Sequence, residues 1–381
     1  MLNVGVIGIG NCGNQVAVLA AKELGCDVIA INSSKNDLNT LPDTIPYILI
    51  GDERGAGKNR NDAKKFLKES IMDMIQDTKF QTFIQGKDAI YIVSSTGGGT
   101  GSGAAPVLSS IIRNSFRDEE GKEKPVILVG VLPKIGEAYA TQTNTLEYLT
   151  ELYKTLDDQT YMLYDNETLS KEPSYLMMQK INKSIVDDIK VVRGDYNIPT
   201  PYASIDEKDI KMILEAPGRI VIASVRDLKE KDLDSVDIED LIIEQLKTNS
   251  HCELQRDKVL NRTGVITNLC ENLNSIFNTN IPKVQEFIGV PVEDFEHVAV
   301  NPERKMENNV FLIMSGLTNI NDRINKISDR IEEIQERQNI AKEEDSLDDI
   351  DVKDLNSKRS YREKNTNANV DLQGIFSQFG A

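Results

Sequence analysis

Short runs of β-branched and apolar residues alternate with longer stretches of helical periodicity through the first part of the chain. The apolar runs predict buried strands at 4–9, 27–31, 47–51, 89–93, 125–132 and 159–164. Helix patterns between them cover 14–24, 61–74, 104–113 and 141–153. This alternation predicts an α/β domain, a Rossmann-like parallel sheet with helices on both faces and ligands at the carboxyl ends of its strands.

A long helix is predicted at 174–193, where apolar positions keep helical spacing. Beyond it, strands are predicted at 219–225, 261–267, 297–300 and 309–314, with helices at 238–246, 281–288 and 320–340. We therefore divide the chain into a nucleotide-binding domain (1–173), a central helix and loop (174–203), a smaller α+β assembly domain with a C-terminal helix (204–340), and a tail (341–381).

The predicted tail is acidic, then rich in Lys, Arg and Asn, and contains few residues suited to a core, which predicts disorder. It ends in a short apolar patch formed by Leu372, Ile375, Phe376 and Phe379. Such a patch favours a peptide that docks onto a partner over an inert terminus.

The segment 94–103, with the sequence SSTGGGTGSG, lies between a predicted strand and a predicted helix. Glycines let successive backbone N–H groups turn toward one point, and the helix start adds unpaired donors and partial positive charge. The hydroxyls of Thr100 and Ser102 are expected to add donors. A phosphate is the expected ligand, because a flexible linker seldom joins a buried strand to a helix. The segment lacks the Lys of a P-loop.

A second glycine loop, Gly8 to Gly13, has the GxGxxG spacing of dinucleotide-binding sites. A nicotinamide site requires an acid at the end of the second strand, but the chain has Asn32 followed by two serines. An NAD-dependent oxidoreductase is therefore the weaker alternative, and two glycine loops favour a nucleoside triphosphate. The loop 52–60 carries Arg54, Lys58 and Arg60, which suit either a terminal phosphate or an ordinary solvated loop.

Asp206 and Asp209 are spaced to lie on one face of a helix, as two carboxylates that activate water near a phosphate would be. The structural alternative is equally plain. Ser204 with Glu207 fits a capping box, and acids in a first helical turn stabilise the helix without any further role.

Composition narrows the classes of partner. The 381 residues carry a net charge of −17, which argues against a broad nucleic-acid-binding surface, so contact with DNA would need an adaptor. Four cysteines without a CxxC pair, and only two histidines, indicate neither a disulfide framework nor a metal site. No apolar segment is long enough to span a bilayer and no signal peptide is evident, so we expect a cytoplasmic protein without membrane contact.

The GGGTGSG loop, the first glycine loop and the late acid pair, in that order, resemble the tubulin and FtsZ superfamily over about residues 1 to 340. The resemblance implies a GTPase that polymerises head to tail, with GTP and GDP as substrate and product and Mg²⁺ held mainly by the phosphates. Asp206 and Asp209 of one subunit would complete the pocket of the next and act on the attacking water. Apart from the Mg²⁺ on the nucleotide, it implies no protein metal site.

The resemblance also assigns the nucleotide contacts residue by residue. The phosphates would meet Gly10, Asn11, Cys12 and Asn14, and the γ-phosphate would lie near Gly55, Ala56, Gly57, Lys58 and Asn59. Phosphate oxygens would also bind Gly97, Gly98, Gly99, Thr100 and Gly101. Pro133 and Glu137 would lie near the ribose, Asn166 near the base, and Asn182 would read guanine.

Several positions depart from the FtsZ pattern, which usually has Gly where this chain has Cys12, Asp where it has Asn182, and Asn where it has Ser204. Among the branches, the chain is most similar to TubZ, the plasmid and phage DNA-segregation branch. That branch implies an adaptor of the TubR type, which we expect to bind the C-terminal tail. The alternative within the family is a cell-division protein, and a polymer that does not hydrolyse nucleotide is a third possibility.

Overall fold

The computed structural model describes residues 1–117, 121–154, 158–228, 237–254, 262–279, 281–289, 295–300, 307–317 and 320–345. The apolar end of the predicted tail lies outside them. The strands are β1 (Val4–Ile9), β2 (Asp27–Asn32), β3 (Tyr47–Leu49), β4 (Ala89–Ser95), β5 (Val126–Leu132), β6 (Thr160–Asp165), β7 (Gly218–Val225), β8 (Arg262–Leu269), β9 (Phe295–Val300) and β10 (Asn309–Leu317).

The helices alternate with these strands in the first half of the chain, as predicted. They are α1 (Gly10–Leu24), α2 (Lys35–Leu38), α3 (Arg60–Gln76), α4 (Thr78–Gln85), α5 (Thr100–Ser115), α6 (Tyr139–Lys154), α7 (Ser174–Val192), α8 (Glu207–Glu215), α9 (Ile238–Thr248), α10 (Glu271–Asn274), α11 (Pro282–Ile288) and α12 (Asn321–Asp345). A 3₁₀ turn spans Asn166–Leu169.

All ten strands belong to one sheet, in the order β3-β2-β1-β4-β5-β6-β7-β10-β8-β9. The strands from β3 to β7 are parallel, whereas β10 runs antiparallel to both of its neighbours. The predicted α/β fold is therefore confirmed. The second half continues the sheet of the first, because β7 pairs with β6 at two positions. The strand order reverses between β1 and β4, and such a reversal opens a crevice at the carboxyl ends of the strands.

Side chains of the parallel strands alternate between two apolar cores, as the pleat of a strand requires. Val6 packs with residues of α1 and α7 on one face, and the next residue, Ile7, packs with residues of α3 and α5 on the other. The C-terminal helix α12 joins this second core through Ile327 and packs against α6. Within the described ranges, no helix combines the length and apolarity needed to cross a bilayer.

Helix ends differ from the prediction at the glycine loops. Both α1 and α5 begin within the glycine-rich segments, earlier than their apolar periodicity indicates. Glycine has no side chain to show helical periodicity, so the sequence pattern identifies these helices only after their first turn. At the other end of the chain, α12 continues to Asp345, beyond its expected end near Ile340.

One basic residue of the loop 52–60, for which the sequence left open a phosphate contact or a solvated position, is instead part of the core. The Arg60 side chain is 2% exposed, and its guanidinium donates to the Ser102 carbonyl (2.9 Å) and to Glu151 (2.6 Å). Glu147 accepts a third hydrogen bond at 3.1 Å. The interpretation of Arg60 as a phosphate ligand is therefore wrong, because its donors already connect α3 to α5 and α6.

We expect Arg60→Met to lower the free energy of unfolding by about 3 kcal/mol, because it leaves Glu151 buried with less compensation. Lys65→Met, on an exposed turn of the same helix, is the matched control and should change stability by less than about 0.5 kcal/mol. Urea denaturation monitored by circular dichroism measures both. Equal stabilities for the two variants would contradict a structural role for the buried network.

Candidate nucleotide-binding site

Two helix N-termini point into the crevice where the strand order reverses. Helix α1 follows β1 directly, and α5 follows β4 after a short glycine turn. Neither N-cap residue, Ile9 or Gly99, provides a side-chain hydrogen bond, and neither helix has an acidic residue in its first turn. Their first backbone N–H groups and their dipoles are therefore available to a bound anion.

The two loops approach each other so closely that side chains cannot be accommodated. Gly10 has a φ of +71°, and a Cβ there would lie 3.1 Å from the Gly101 nitrogen. A Cβ on Gly101 would in turn lie 2.7 Å from the Ile9 carbonyl oxygen. Glycine is required at this contact, which brings the backbone of both loops to one place.

The third loop, Gly55 to Asn59, packs against the glycine turn before α5. A Cβ on Gly99 would lie 2.9 Å from the Lys58 nitrogen. Asn144 of α6 connects the two segments, because its Nδ2 donates to the carbonyls of Lys58 and Gly98, each at 2.9 Å. The structure thus brings together all three loops predicted to hold phosphate.

Side chains of the third loop have protein partners of their own. The Lys58 ammonium donates to Thr141 Oγ1 at 3.0 Å, so in this structure it is directed toward α6. Asn59 caps α3 by accepting from the backbone N–H of Asn61 at 3.0 Å. The backbone of Gly55 is tied to the end of β2 through a hydrogen bond to Ser33 O at 2.9 Å.

The two hydroxyls expected to act as phosphate donors are engaged within the protein. Thr100 Oγ1 lies 2.6 Å from Ser33 Oγ, and Ser102 Oγ donates to the Gly98 carbonyl at 2.5 Å. Backbone amides therefore remain the principal donors at this site. Ser33 directly follows Asn32, the strand end where a nicotinamide site would have an acid, and it connects β2 to the glycine loop.

Residues of the first loop differ in their exposure. Asn11 is exposed, whereas Asn14 is 1% exposed. In the amide orientation that its neighbours require, Asn14 donates to the Gly8 carbonyl at 2.8 Å and accepts from Asn32 at 3.3 Å. Burial raises the pKa of the Cys12 thiol to about 12, so it is a neutral thiol at physiological pH.

The loops after β5 and β6 form the other side of the crevice. Pro133 is buried, and Glu137 accepts from the backbone N–H of Lys134 at 2.9 Å. Asn166 begins the 3₁₀ turn that follows β6 and is half-buried. Asn182 is half-buried on α7, the helix that packs against both α1 and this turn.

The acid pair lies at the opposite edge of the sheet. Glu207, between the two aspartates, binds the N-terminal amine at the start of β1 at 2.8 Å. Asp206 accepts from the backbone N–H of Asp209 at 3.0 Å, and Asp209 accepts from that of Asp206 at 3.0 Å. The capping box of α8 is therefore Asp206 with Asp209, and the predicted box of Ser204 with Glu207 is wrong.

Sequence reasoning missed three residues that shape the site. They are Ser33, Asn144 and Arg323, which hold loops together from distant parts of the chain. No motif marks them. The nearest signal was at Asn32, directly before Ser33, where an acid was sought and not found.

Comparison with known proteins places these observations in a family. The profile of the Tubulin/FtsZ family GTPase domain matches residues 3–172. The tubulin-like protein CetZ of Pyrococcus horikoshii is 28% identical over 221 residues, which are 56% of this chain and 58% of CetZ. This chain therefore matches a little over half the length of that relative.

Solved structures share the fold over most of the chain. The protofilament of CetZ2 from Haloferax volcanii with GTPγS gives a TM-score of 0.69 at 18% identity, covering 87% of this chain and 99% of that one. TubZ of Bacillus thuringiensis serovar israelensis gives 0.70 at 18% identity, covering 90% and 94%. The N-terminal part of this chain, residues 3–172, is thus a GTPase domain of the tubulin/FtsZ family.

Proposed function

We propose that this protein binds and hydrolyses GTP and assembles head to tail into filaments. The observation that carries the proposal is the pair of uncapped helix N-termini, α1 and α5, which meet at the sheet's switch point with glycines at their contact. Backbone donors and helix dipoles at one place suit a polyphosphate. The proposed contacts are those predicted from the sequence, with the phosphates between the three loops.

The position of the acid pair supports a site completed between subunits. The six residues of β1 separate the glycine loops from the edge where Glu207 binds the N-terminus, a distance of about 20 Å. Asp206 and Asp209 therefore lie too far away to act on a nucleotide in their own chain. Stacking subunits along the strand direction would bring one subunit's acid pair to the next subunit's loops.

In this arrangement the two carboxylates orient and polarise the attacking water, while backbone amides stabilise charge on the transferred phosphoryl group. Mg²⁺ would neutralise phosphate charge. In the described parts of the chain, no three His, Cys, Asp or Glu side chains gather closely enough to hold a metal. We expect phosphate oxygens to hold Mg²⁺ for the most part, since Mg²⁺ at nucleotide sites is usually bound by substrate phosphates with at most one or two carboxylates.

We expect the rate of phosphate release from GTP, per molecule of protein, to rise above a threshold protein concentration. Light scattering recorded on the same samples should rise at the same threshold, because a pocket completed by a neighbour is inactive in the monomer. A rate per molecule that does not depend on concentration would mean a pocket complete within one chain. That result would leave the fold unchanged and remove the filament mechanism.

For the biological role, we propose partitioning of plasmid or phage DNA in the cytoplasm. This role rests on the sequence resemblance to the TubZ branch, because the structural likenesses to TubZ and CetZ2 are nearly equal and show the fold alone. The sequence relatives include CetZ proteins, and FtsZ-like cell division is the alternative role. A net charge of −17 favours contact with DNA through an adaptor of the TubR type, bound by the tail.

We expect DNA to sediment with the filaments only when the adaptor is present. Removal of residues 346–381 should abolish this co-sedimentation of DNA. Binding of the tail to a membrane-tethered protein instead would favour division.

A further inference from the structure

A buried arginine of the C-terminal helix lies at the carboxyl ends of the parallel strands, where the nucleotide is proposed to bind. The Arg323 side chain is 5% exposed, and it pairs with Asp165, whose side chain is 6% exposed. The pair is bidentate, with Nε 2.6 Å from Oδ2 and Nη2 3.0 Å from Oδ1 of the carboxylate. A buried bidentate pair fixes the positions of both partners closely.

Arg323 also contacts the neighbouring strand end. Its Nη2 donates to the Pro133 carbonyl at 2.5 Å, directly after β5. Asp165 is the last residue of β6, and its Oδ1 also accepts from the backbone N–H of Glu167 in the following 3₁₀ turn at 3.0 Å. One guanidinium therefore fixes the starts of two loops that come from different strands.

A second link joins the same two loops directly. Glu167 Oε2 accepts from the backbone N–H of Ile135 at 2.7 Å. The two loops are thus bonded to each other, and Arg323 connects both of them to α12. These are the loops that carry Pro133, Glu137 and Asn166, the residues assigned to the ribose and the base.

We propose that Arg323 is a positioning residue for the nucleotide and that it couples the C-terminal helix to the occupancy of the pocket. This inference rests on the proposed GTP binding. Arg323 acts through Asp165 and Pro133, and the coupling is reciprocal: an ordered α12 tightens the binding of GTP, and bound GTP stabilises the first turns of α12. A partner that pulls on the chain after α12 would then weaken nucleotide binding.

The test measures the dissociation constant of a fluorescent GTP analogue with Mg²⁺, at protein concentrations below the assembly threshold. We expect Arg323→Met to weaken binding about ten-fold. Arg323→Lys should be intermediate, because lysine keeps the charge but loses the bidentate geometry. Arg330→Met is the matched control: this arginine lies on the same helix, pairs with Glu333 at 2.7 Å, and should bind as the wild type does.

Amide hydrogen exchange distinguishes coupling between the nucleotide pocket and α12 from a general loss of protein stability in the variant. In the wild type, GTP should slow amide exchange in the first turns of α12 about ten-fold, although these turns carry no assigned nucleotide contact. In Arg323→Met, GTP should leave that exchange unchanged. If this variant does not fold, Arg323→Lys and Asp165→Asn should each reduce the GTP effect on α12.

The outcomes distinguish this inference from the proposed function. If the wild type binds GTP and Arg323→Met binds it equally well, the positioning role is wrong and the GTP site is retained. A GTP effect on α12 that is unchanged in the variants would overturn the coupling. If the wild type itself binds no GTP, the proposed function fails, and this inference fails with it.

Discussion

Replacing either aspartate of α8 by asparagine should lower GTP turnover by about 100-fold or more, with nucleotide affinity unchanged within about three-fold. Asparagine is as good an N-cap as aspartate, and its amide oxygen still accepts a backbone hydrogen bond. Asp206→Asn and Asp209→Asn therefore preserve the capping box and remove only the carboxylate charge. Steady-state phosphate release above the assembly threshold measures the effect.

Glu207→Gln provides a control in the same helical turn. It removes the same charge, but from a side chain that pairs with the N-terminal amine, and both groups are 59% exposed. We expect wild-type turnover from it. Asp206→Ala and Asp209→Ala should also bind nucleotide and give longer-lived filaments. Loss of the capping side chain should lower the free energy of unfolding by about 1 kcal/mol.

Other results would revise the assignment of the acid pair. If Asp206→Asn and Asp209→Asn abolish nucleotide binding, the pair does not act in trans. If they turn over GTP at the wild-type rate, its role is confined to capping α8.

Gly99→Ala should weaken GTP binding by roughly 10- to 100-fold, because the added methyl group forces the loops apart. A Cβ at this position lies 2.9 Å from both the nitrogen and the Cα of Lys58 and 3.1 Å from the Ala56 side chain. Backbone atoms cannot move aside as the end of a flexible side chain can. Titration with a fluorescent GTP analogue measures the change.

Gly136→Ala is the matched control, because a Cβ there meets no heavy atom within 4 Å. It should bind GTP as the wild type does and melt within a few degrees of it. Unchanged affinity in a folded Gly99→Ala variant would show that contact between the two loops is not needed for nucleotide binding.

Much of the secondary structure of the nucleotide-binding domain was predictable, because the patterns that indicate it lie in neighbouring residues. An apolar run forms the strand from Val4 to Ile9, and glycines and a periodic segment follow it in the helix. The spacing of these residues alone indicates a strand, a turn and a helix. The alternation of such units also predicts a parallel sheet and places the ligand at one edge. The proposed domain boundaries and the nucleotide contacts stay predictions.

The roles of individual charged residues were not predictable, because they depend on partners far along the chain. Arg60 has the sequence context of a phosphate ligand, yet it pairs with Glu151 across two packed helices. Arg323 has no motif, yet it contacts the ends of two strands. Periodicity shows which face of a helix is apolar, but it does not show which polar atom that face will meet.

The sequence by itself determined the strands and most of the helices in their order along the chain, the two glycine loops and the spacing of the acid pair, because each is a property of neighbouring residues. The tertiary structure alone decided that the turn carrying Asp206 and Asp209 lies beside the N-terminus, at the strand ends opposite the loops, and that α12 reaches the end of β6. Those facts follow from contacts between residues far apart in sequence, which form only when the two cores pack on the faces of the sheet.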